Sequence, residues 1–346
     1  MNLNINKLED PLNDAALPNF ARLGINHHSS TSLQYPDGIF AFRYIICSQE
    51  DRRKFDGNAN MAAGVAVGNA LNYRFAKVIW KMNPITKKLA PTENKIFTDQ
   101  EAIDKAMEKY REYKPVDDTD QEKFEHYLET IPQTIRQGFK CFVELCGNHH
   151  IVCEDTINHQ DKRLYLPIVG RSDFSIYKDL PEEQSSAGVR HGTKIPSQGS
   201  LLSVLLELKT SWQKPMKRRK DGSRSFSSAK LPSIPNPNHL QQIAFYYTAT
   251  KTENPKLIYL TADGYKIFTK ENCADLEPEN LKNYYEQLIR AAKRRERLLK
   301  RHEHINDIDR MKLEIIKDCD SQFNHPFYWK IGNHYLSQAK ELWKNL

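Results

Sequence analysis

The chain has 346 residues and a formal net charge of +7, from 51 Lys and Arg against 44 Asp and Glu. Hydrophobic residues make up 39% of it, which is enough for a sizeable core and excludes wholesale disorder. No stretch approaches the roughly 18 consecutive apolar residues of a membrane span. The polar start MNLNINKLEDPLND indicates no signal peptide. Membrane-spanning, collagenous and disulfide-scaffold classes are therefore excluded.

The first part of the chain predicts an arm, a strand and a helix. Residues 1–40 are polar and lack periodicity, which predicts an extended N-terminal arm. The apolar run at 40–46 favours a strand, and helical spacing of apolar residues predicts a helix at about 60–80. Gly64 and Gly68 interrupt this helix, which indicates close approach of another backbone.

A helical insertion is predicted at about 98–145. Its first helix begins with a capping box, in which Thr98 is the N-cap and Glu101 lies three positions later. A second helix follows, with a break allowed before Pro132.

After residue 145 the spacing of apolar residues changes from a helical pattern to one typical of strands separated by loops. Strands are predicted at 151–155 and 164–177, a loop at 178–200, and a strand buried on both faces at 201–208. Further on, the sequence predicts a polar loop at 213–238, a helix at 237–249, a hairpin with strands at 257–260 and 265–269, an amphipathic helix at 278–301 and a short helix near 333–346.

The six cysteines contain no CxxC pair and are interpreted as reduced thiols. Zinc-capable residues cluster at Cys141, Cys146, His149, His150, Cys153 and His159. Their spacing matches no usual zinc knuckle, so buried cysteines and a strand histidine are favoured, with structural zinc as the alternative.

Charged residues interrupt two of the apolar strands. Asp173 lies within VGRSDFSIY, and Glu207 and Lys209 end the run LLSVLLELKT. The period of a strand puts Glu207 and Lys209 on the same side. Burying an acid and a lysine is costly unless they serve each other or a ligand. If the two strands pair, Asp173 and Glu207 can converge on Mg²⁺ or Mn²⁺, with Lys209 beside the ion.

The helix predicted after residue 236 adds polar residues to this set. Gln242 and Tyr246 are four positions apart and share one helix face, and His239 precedes Gln242 by about one turn. Each motif alone is common: Asp173 could end a strand, and Gln242 and Tyr246 could be ordinary helix surface. Their order, with a G-R-S-D strand, an E-x-K strand and a Q-x-x-x-Y helix, makes chance agreement small.

This ordered set resembles the PD-(D/E)XK nuclease superfamily, specifically its RecB-type exonuclease branch, over roughly residues 40–300. Gly170–Asp173 matches the G-x-x-D strand, Glu207–Thr210 the (D/E)-x-K-T strand, and Gln242 with Tyr246 the Q-x-x-x-Y helix. The resemblance implies a restriction-endonuclease-like α/β core with a central mixed sheet flanked by helices. It also implies a metal-dependent DNA exonuclease of phage or bacterial recombination, repair or replication.

The resemblance also implies roles for the residues. Asp173, Glu207 and the Leu208 carbonyl would bind one or two Mg²⁺ or Mn²⁺ ions. Lys209 would orient the attacking water and stabilise charge growing on the phosphate. Hydrolysis would leave a 5′-phosphate and a 3′-hydroxyl. Gln242 and Tyr246 would brace the site or contact the DNA backbone.

The chain departs from the family pattern in its first helix. The branch often carries G-x-x-x-H-x-x-L there, with the histidine as a metal ligand, whereas Gly68 occupies the histidine position here. The number of metal ions is therefore open. The alternatives are a structure-specific or restriction-type endonuclease of the same fold, and a DNA-binding protein whose catalytic site has decayed.

Two basic runs indicate DNA as the partner. The run KPMKRRKDGSR at 214–224 directly follows the E-x-K strand, and KRRERLLKR occupies 293–301. Each could neutralise several phosphates, although a solvated loop and an ordinary charged helix face are the alternatives. The predicted DNA-binding side chains of the first run are Lys217, Arg218, Arg219 and Lys220. Tyr110, Tyr113, Phe124 and Tyr127 could stack on bases or pack in a core.

The predicted organisation is an arm at 1–40, a nuclease domain at 41–302 and a C-terminal helical extension at 303–346. The expected location is the cytoplasm of a bacterial cell or a phage-infected host. A single-strand-binding or recombination protein is a further expected partner. Polarity, strand preference and oligomeric state are left open by the sequence.

Overall fold

The fold is given by a computed structural model that describes residues 19–48, 58–76, 78–82, 89–93, 95–146, 150–177, 202–219, 224–252, 254–321, 323 and 333–346. Within these ranges the strands are β1 (His28–Ser29), β2 (Val78–Met82), β3 (Leu89–Glu93), β4 (His150–His159), β5 (Ile168–Tyr177), β6 (Leu202–Thr210), β7 (Pro255–Leu260) and β8 (Tyr265–Phe268). The α-helices are α1 (Asp37–Ala41), α2 (Ala59–Phe75), α3 (Asp99–Arg111), α4 (Asp118–Cys146), α5 (Pro237–Thr250), α6 (Pro278–Arg301), α7 (Ile308–Lys317) and α8 (Asn333–Lys344). The predicted loop at 178–200 and the side chain of Lys220 lie outside the described residues.

The strands form one mixed sheet in the order β3-β2-β4-β5-β6-β7-β8, with β1 paired to β5. β5 and β6 are antiparallel, as are β7 and β8, whereas β6 and β7 are parallel. Helices pack against this sheet, so the predicted α/β class with a mixed sheet flanked by helices is confirmed. None of the described helices has the length and apolar character needed to cross a bilayer.

The described chain divides into two compact units. The first contains residues 58–157 and 171–281, and the second contains 19–48, 158–170 and 282–346. The predicted arm, nuclease domain and C-terminal extension concern a domain organisation that this division does not test, and they stay a prediction.

The two faces of β6 have different surroundings in the first unit. Val204 and Leu206 belong to a hydrophobic core that also contains residues of α2, α4 and β7. Glu207 and Lys209 point to the opposite face because successive side chains of a strand alternate. That face meets α5, since Gln242 of this helix contacts Lys209. The apolar face therefore anchors the strand and leaves its charged face to a helix with polar residues.

Local signals fix where α5 begins and ends. The Asn236 side chain accepts a hydrogen bond from the Asn238 N–H at 2.9 Å, and Pro237 occupies the first turn. The helix ends at Lys251, whose φ of 59° is left-handed. The prediction of a helix at 237–249 is confirmed. Because the N-cap fixes the first residue of the helix, it also fixes which residues lie on the polar face.

The segment before α2 differs from the predicted extended arm and strand. It contains a short 3₁₀-helix at Asn19–Leu23, and α1 continues as a π-helix over Phe42–Ile46. Ile39, Phe42 and Ile45 are buried in a core shared with α7. Their spacing of three puts them on one side of a helix, so packing against α7 overrides the β-propensity of the run.

Other differences concern helix ends. α2 stops at Phe75, and the predicted continuation to residue 80 is wrong because 78–82 forms β2, paired with β3. The capping box of Thr98 and Glu101 is confirmed, with both reciprocal hydrogen bonds present. α4 runs through Pro132 without a break.

Candidate functional site

The pairing of β5 with β6 brings the predicted acids together. Phe174 lies opposite Leu206 in this antiparallel pair, and continuing the register by one residue puts Asp173 opposite Glu207. Residues directly opposite each other project to the same side of a sheet. Lys209 shares that side because it lies two positions from Glu207. We call Asp173, Glu207 and Lys209 the acid–lysine cluster.

Short contacts tie the acid–lysine cluster together. The Leu208 N–H donates to Asp173 Oδ2 at 2.6 Å, and the Lys209 ammonium donates to Glu207 Oε1. Glu207 is only 1% exposed, whereas the Lys209 side chain is 24% exposed. The three residues predicted from the sequence therefore meet, with the lysine nearest to solvent.

A chain of hydrogen bonds from α5 reaches Lys209. The Tyr246 hydroxyl donates to the Arg171 carbonyl, so its oxygen is left to accept the Gln242 Nε2–H at 2.9 Å. This fixes the orientation of the Gln242 amide, whose Oε1 accepts from Lys209 Nζ at 3.4 Å. Gln242 therefore holds Lys209, and Tyr246 connects Gln242 to a backbone carbonyl of β5.

A second pair, His239 and Tyr259, lies on the same face. Tyr259 is the register partner of Lys209 on β7. Its hydroxyl accepts the Asn236 N–H at 3.0 Å and lies 2.7 Å from His239 Nδ1. Burial and the charge of Lys209 lower the pKa of His239 to about 3, so the ring is neutral.

Tyr259 was missed by sequence reasoning, which placed it only in a hairpin strand. Its position beside Lys209 depends on the parallel register of β6 and β7. A single sequence carries no signal for that register. His239 was noticed as lying one turn before Gln242, and the structure adds its hydrogen-bond partner.

Burial and the neighbouring charges shift the pKa values of Asp173 and Lys209 in the acid–lysine cluster. Burial raises the pKa of Asp173, and the opposing attraction of Lys209 and of the Leu208 N–H is the smaller effect. Burial alone would lower the pKa of Lys209, but Glu207 and Asp173 outweigh it and raise that pKa. Two carboxylates face one ammonium, and the neutral His239 adds no charge.

These donors fit a divalent cation. Two carboxylates and the adjacent Leu208 carbonyl are the hard oxygen ligands that Mg²⁺ and Mn²⁺ prefer. A cation there would also offset the unbalanced carboxylate charge. Among the described residues no group of three or more His, Cys, Asp or Glu is placed to hold a metal. α2 contains no acidic residue and no histidine, so it adds no side-chain ligand of these types at Gly68 or elsewhere.

Close packing explains one of the two glycines that interrupt α2, Gly64. A Cβ at this position would lie 3.1 Å from Thr210 Oγ1, so the glycine allows close packing against the end of β6. The neighbour is a side chain rather than the backbone that the sequence suggested. A Cβ at Gly68 would meet nothing within 4 Å among the described residues.

The basic segment after β6 is a short hairpin rather than an irregular loop. Met216 N–H donates to the Ser225 carbonyl at 2.8 Å, and Ser227 N–H donates to the Lys214 carbonyl at 2.9 Å. Phe226 stacks on His126 of α4 with ring centroids 3.8 Å apart. We call the described residues 214–219 and 224–227 the basic hairpin.

The described part of the basic hairpin includes three of the four predicted DNA-binding residues, Lys217, Arg218 and Arg219. Lys217 and Arg219 are exposed, whereas Arg218 pairs with Glu122 of α4 at 2.5 Å. Arg224, which was not singled out in the sequence, pairs with the same carboxylate at 2.8 Å. The basic hairpin therefore exposes positive charge and contacts α4 through Arg218 and Arg224.

In the second basic run, on α6, one of the six basic side chains is buried and two pair with acids of their own unit. Arg295 is completely buried, with its guanidinium 4.1 Å from the Phe40 ring centroid. Arg294 pairs with Asp37 at 2.6 Å, and Arg301 pairs with Asp318 at 2.5 Å. This run offers less accessible charge than its composition indicated.

The aromatic residues proposed to stack on bases are part of the packing. Tyr110 and Tyr127 are buried, and Tyr110 stacks on Phe124 at 5.0 Å. Tyr113 is partly buried and donates its hydroxyl to Asp120 at 2.5 Å. In the same region, Cys141 and Cys153 are buried, whereas His149 and the side chain of Cys146 lie outside the described residues, so the zinc alternative stays untested.

Comparison with known proteins adds little. No protein-family model matches the chain, and no curated protein matches it significantly. Among solved structures it is similar to one titled "Crystal structure of SSO0001", at 18% identity over 55% of this chain and 68% of that chain, with a TM-score of 0.25. A likeness this weak carries no argument, so the function is argued from the chain's own residues.

Proposed function

We propose that this protein is a Mg²⁺- or Mn²⁺-dependent DNA exonuclease with a restriction-endonuclease-like core. The observation that carries the proposal is the acid–lysine cluster, in which two desolvated carboxylates and one lysine share a strand face. Buried charges of this kind are costly to maintain unless they serve each other or a ligand. Two carboxylates beside one lysine suit a divalent cation that is bound together with a phosphodiester.

Each residue has a role in this proposal. Asp173, Glu207 and the Leu208 carbonyl would hold the metal ion, which when bound polarises the phosphate and lowers the pKa of a water ligand. Lys209 keeps its charge at neutral pH, because its pKa is raised, and would stabilise charge growing on the phosphate. Gln242, which accepts from Lys209 Nζ at 3.4 Å, would hold the ammonium in place for this role.

The hydrolysis balances without another reactant. A water oxygen forms a bond to phosphorus, the bond to the 3′-oxygen breaks, and the leaving oxygen takes a proton. The products are a 5′-phosphate and a 3′-hydroxyl. The exposed Lys217 and Arg219 of the basic hairpin follow β6 closely in the chain and are suited to hold the DNA backbone.

The first test is digestion of end-labelled single- and double-stranded DNA with Mg²⁺ or Mn²⁺. We expect Lys209→Ala to lower the cleavage rate by about 10²-fold or more, because it removes a charge that acts on the transition state. Lys270→Ala is the matched control, since Lys270 is exposed in the turn after β8. Equal cleavage by both variants would rule out the proposed role of Lys209.

The substrate panel also separates the alternatives. Closed circular DNA has no ends, so its cleavage would indicate an endonuclease of the same fold. Labels on the 5′ and 3′ ends give the polarity of digestion. DNA binding by the wild-type protein without hydrolysis in either metal would instead indicate a decayed nuclease.

A further inference from the structure

Glu122 of α4 lies between two arginines of the basic hairpin. Arg218 Nη2 is 2.5 Å from Glu122 Oε1, and Arg224 Nη1 is 2.8 Å from Oε2. The carboxylate is 25% exposed, so the pair of ion pairs is at the surface. Two guanidinium groups thus converge on one anion that belongs to a different element.

The arginines are not fully satisfied by this carboxylate. The contact of Arg224 is at ion-pair distance, but Glu122 Oε2 lacks an aligned hydrogen bond among the described residues. Arg224 Nε is buried and likewise has no hydrogen-bond partner among them. Two positive charges against one negative charge leave the group with a net attraction for anions.

The hairpin is held in place independently of these ion pairs. Phe226 stacks on His126 with an interplanar angle of 12°, and the Tyr127 hydroxyl donates to the Gln213 carbonyl at 2.8 Å. Loss of the Glu122 charge would therefore leave the two arginines near α4.

We propose that Glu122 occupies the binding site of a DNA backbone phosphate. When DNA binds, a phosphate replaces the Glu122 carboxylate as the partner of Arg218 and Arg224. This inference rests on the proposed function for the identity of the partner. A phosphodiester presents two anionic oxygens, which a guanidinium can bind as it binds a carboxylate. The Arg218 side chain is 52% exposed, so its ion pair contributes little to holding Glu122 in place.

The test is equilibrium binding of a fluorescein-labelled single-stranded oligonucleotide in EDTA, followed by anisotropy over a range of salt concentrations. Glu122→Gln should bind at least about threefold more tightly at low salt, because the arginines no longer have an internal partner. The slope of log K against log salt should become more negative by about 0.7 for each phosphate gained.

Glu125→Gln is the matched control, since it removes the same charge from an exposed position three residues further along α4. In a background of Arg218→Gln with Arg224→Gln, adding Glu122→Gln should change neither the affinity nor the slope. Circular dichroism should show the wild-type fold for each variant.

The inference is overturned if Glu122→Gln binds more weakly than the wild type or behaves as Glu125→Gln does. It is likewise overturned if the wild type does not bind the oligonucleotide. Failure of the proposed function is a separate result, seen as absence of metal-dependent cleavage, because a protein without hydrolytic activity can still bind DNA through these arginines.

Discussion

Each unit of this protein buries a group of charged side chains, and the two groups are satisfied in different ways. In the second unit, Arg295 donates to the Tyr35 carbonyl at 3.0 Å and to the Ser32 carbonyl. Its neighbour Glu296 accepts the Leu166 N–H at 2.9 Å and lies 3.2 Å from His28 Nε2. We call this the Arg295 cluster.

The Arg295 cluster is balanced by groups of its own unit. A buried arginine stands beside a buried glutamate, and both have hydrogen bonds to backbone groups, carbonyls for the arginine and an N–H for the glutamate. Burial lowers the pKa of Arg295 to about 10, so the group stays charged at neutral pH. In the acid–lysine cluster, by contrast, two carboxylates are grouped around one lysine. The comparison teaches that the way charged groups are combined, rather than burial, separates structural ion pairs from a candidate reactive site.

The largest expected effect is that of Asp173→Asn on cleavage. This variant tests whether a charge of the acid–lysine cluster serves a ligand or stabilises the fold. We expect cleavage to fall by about 10²-fold or more, while the free energy of unfolding at neutral pH does not fall. Asparagine can still accept the Leu208 N–H, and the desolvated charge is removed. Single-turnover cleavage and urea unfolding measure the two quantities. A large loss of stability would show that Asp173 resembles the Arg295 cluster, and the comparison would fail.

The pH dependence of the same variant has a defined sign. Burial raises the pKa of Asp173 above its ordinary value of 3.8, so the native state binds the proton more tightly than the unfolded chain does. This group therefore lowers stability as the pH rises from that ordinary value through the folded pKa. The stability of the wild type relative to Asp173→Asn should decrease over this interval, as urea unfolding at several pH values will measure.

The second prediction concerns Arg295→Met. We expect the free energy of unfolding to fall by about 2 to 4 kcal/mol, because the carbonyls of Ser32 and Tyr35 lose their charged donor. Arg297→Met is the matched control, being exposed on the same helix, and should change stability by less than about 0.5 kcal/mol. Urea unfolding measures both. If cleavage by the folded Arg295→Met protein were lost, the assignment of this cluster to the fold alone would be wrong.

The smallest effect is expected from Tyr259→Phe. The change removes the acceptor of the Asn236 N–H and the hydrogen-bond partner of His239, which loosens the start of α5 and thus Gln242. We expect kcat to fall by about tenfold with little change in KM, as is typical of groups that orient a reactive residue. Tyr265→Phe on β8 serves as control. An unchanged kcat would show that His239 and Tyr259 only pack.

Much of the site was accessible from the sequence because it follows local periodicity. Asp173, Glu207 and Lys209 interrupt apolar strands, and Gln242 with Tyr246 follows helical spacing. These positions needed only the period of each element and one assumption, that β5 pairs with β6. The contacts that make the lysine part of a network depend on α5 crossing the polar face, which no local pattern specifies.

The remaining differences have tertiary causes. The run at 40–46 has β-forming residues, yet its burial against α7 selects a helix. The inward direction of Arg295 was in principle visible, because it lies on the apolar stripe of α6 with Leu288 and Ala292. A charge count treated it as available to DNA, whereas its position in the helical period placed it in the core.

The candidate site is built from segments that are far apart in the chain, which has a consequence for synthesis. The Tyr246–Arg171 hydrogen bond joins residues 75 positions apart, and Lys209 acquires its neighbour Tyr259 only when the parallel strand β7 has been added. Parallel pairing over such distances forms late in folding. A growing chain on the ribosome thus carries no completed site until β7 has emerged, so any activity toward nucleic acid begins with a nearly finished first unit.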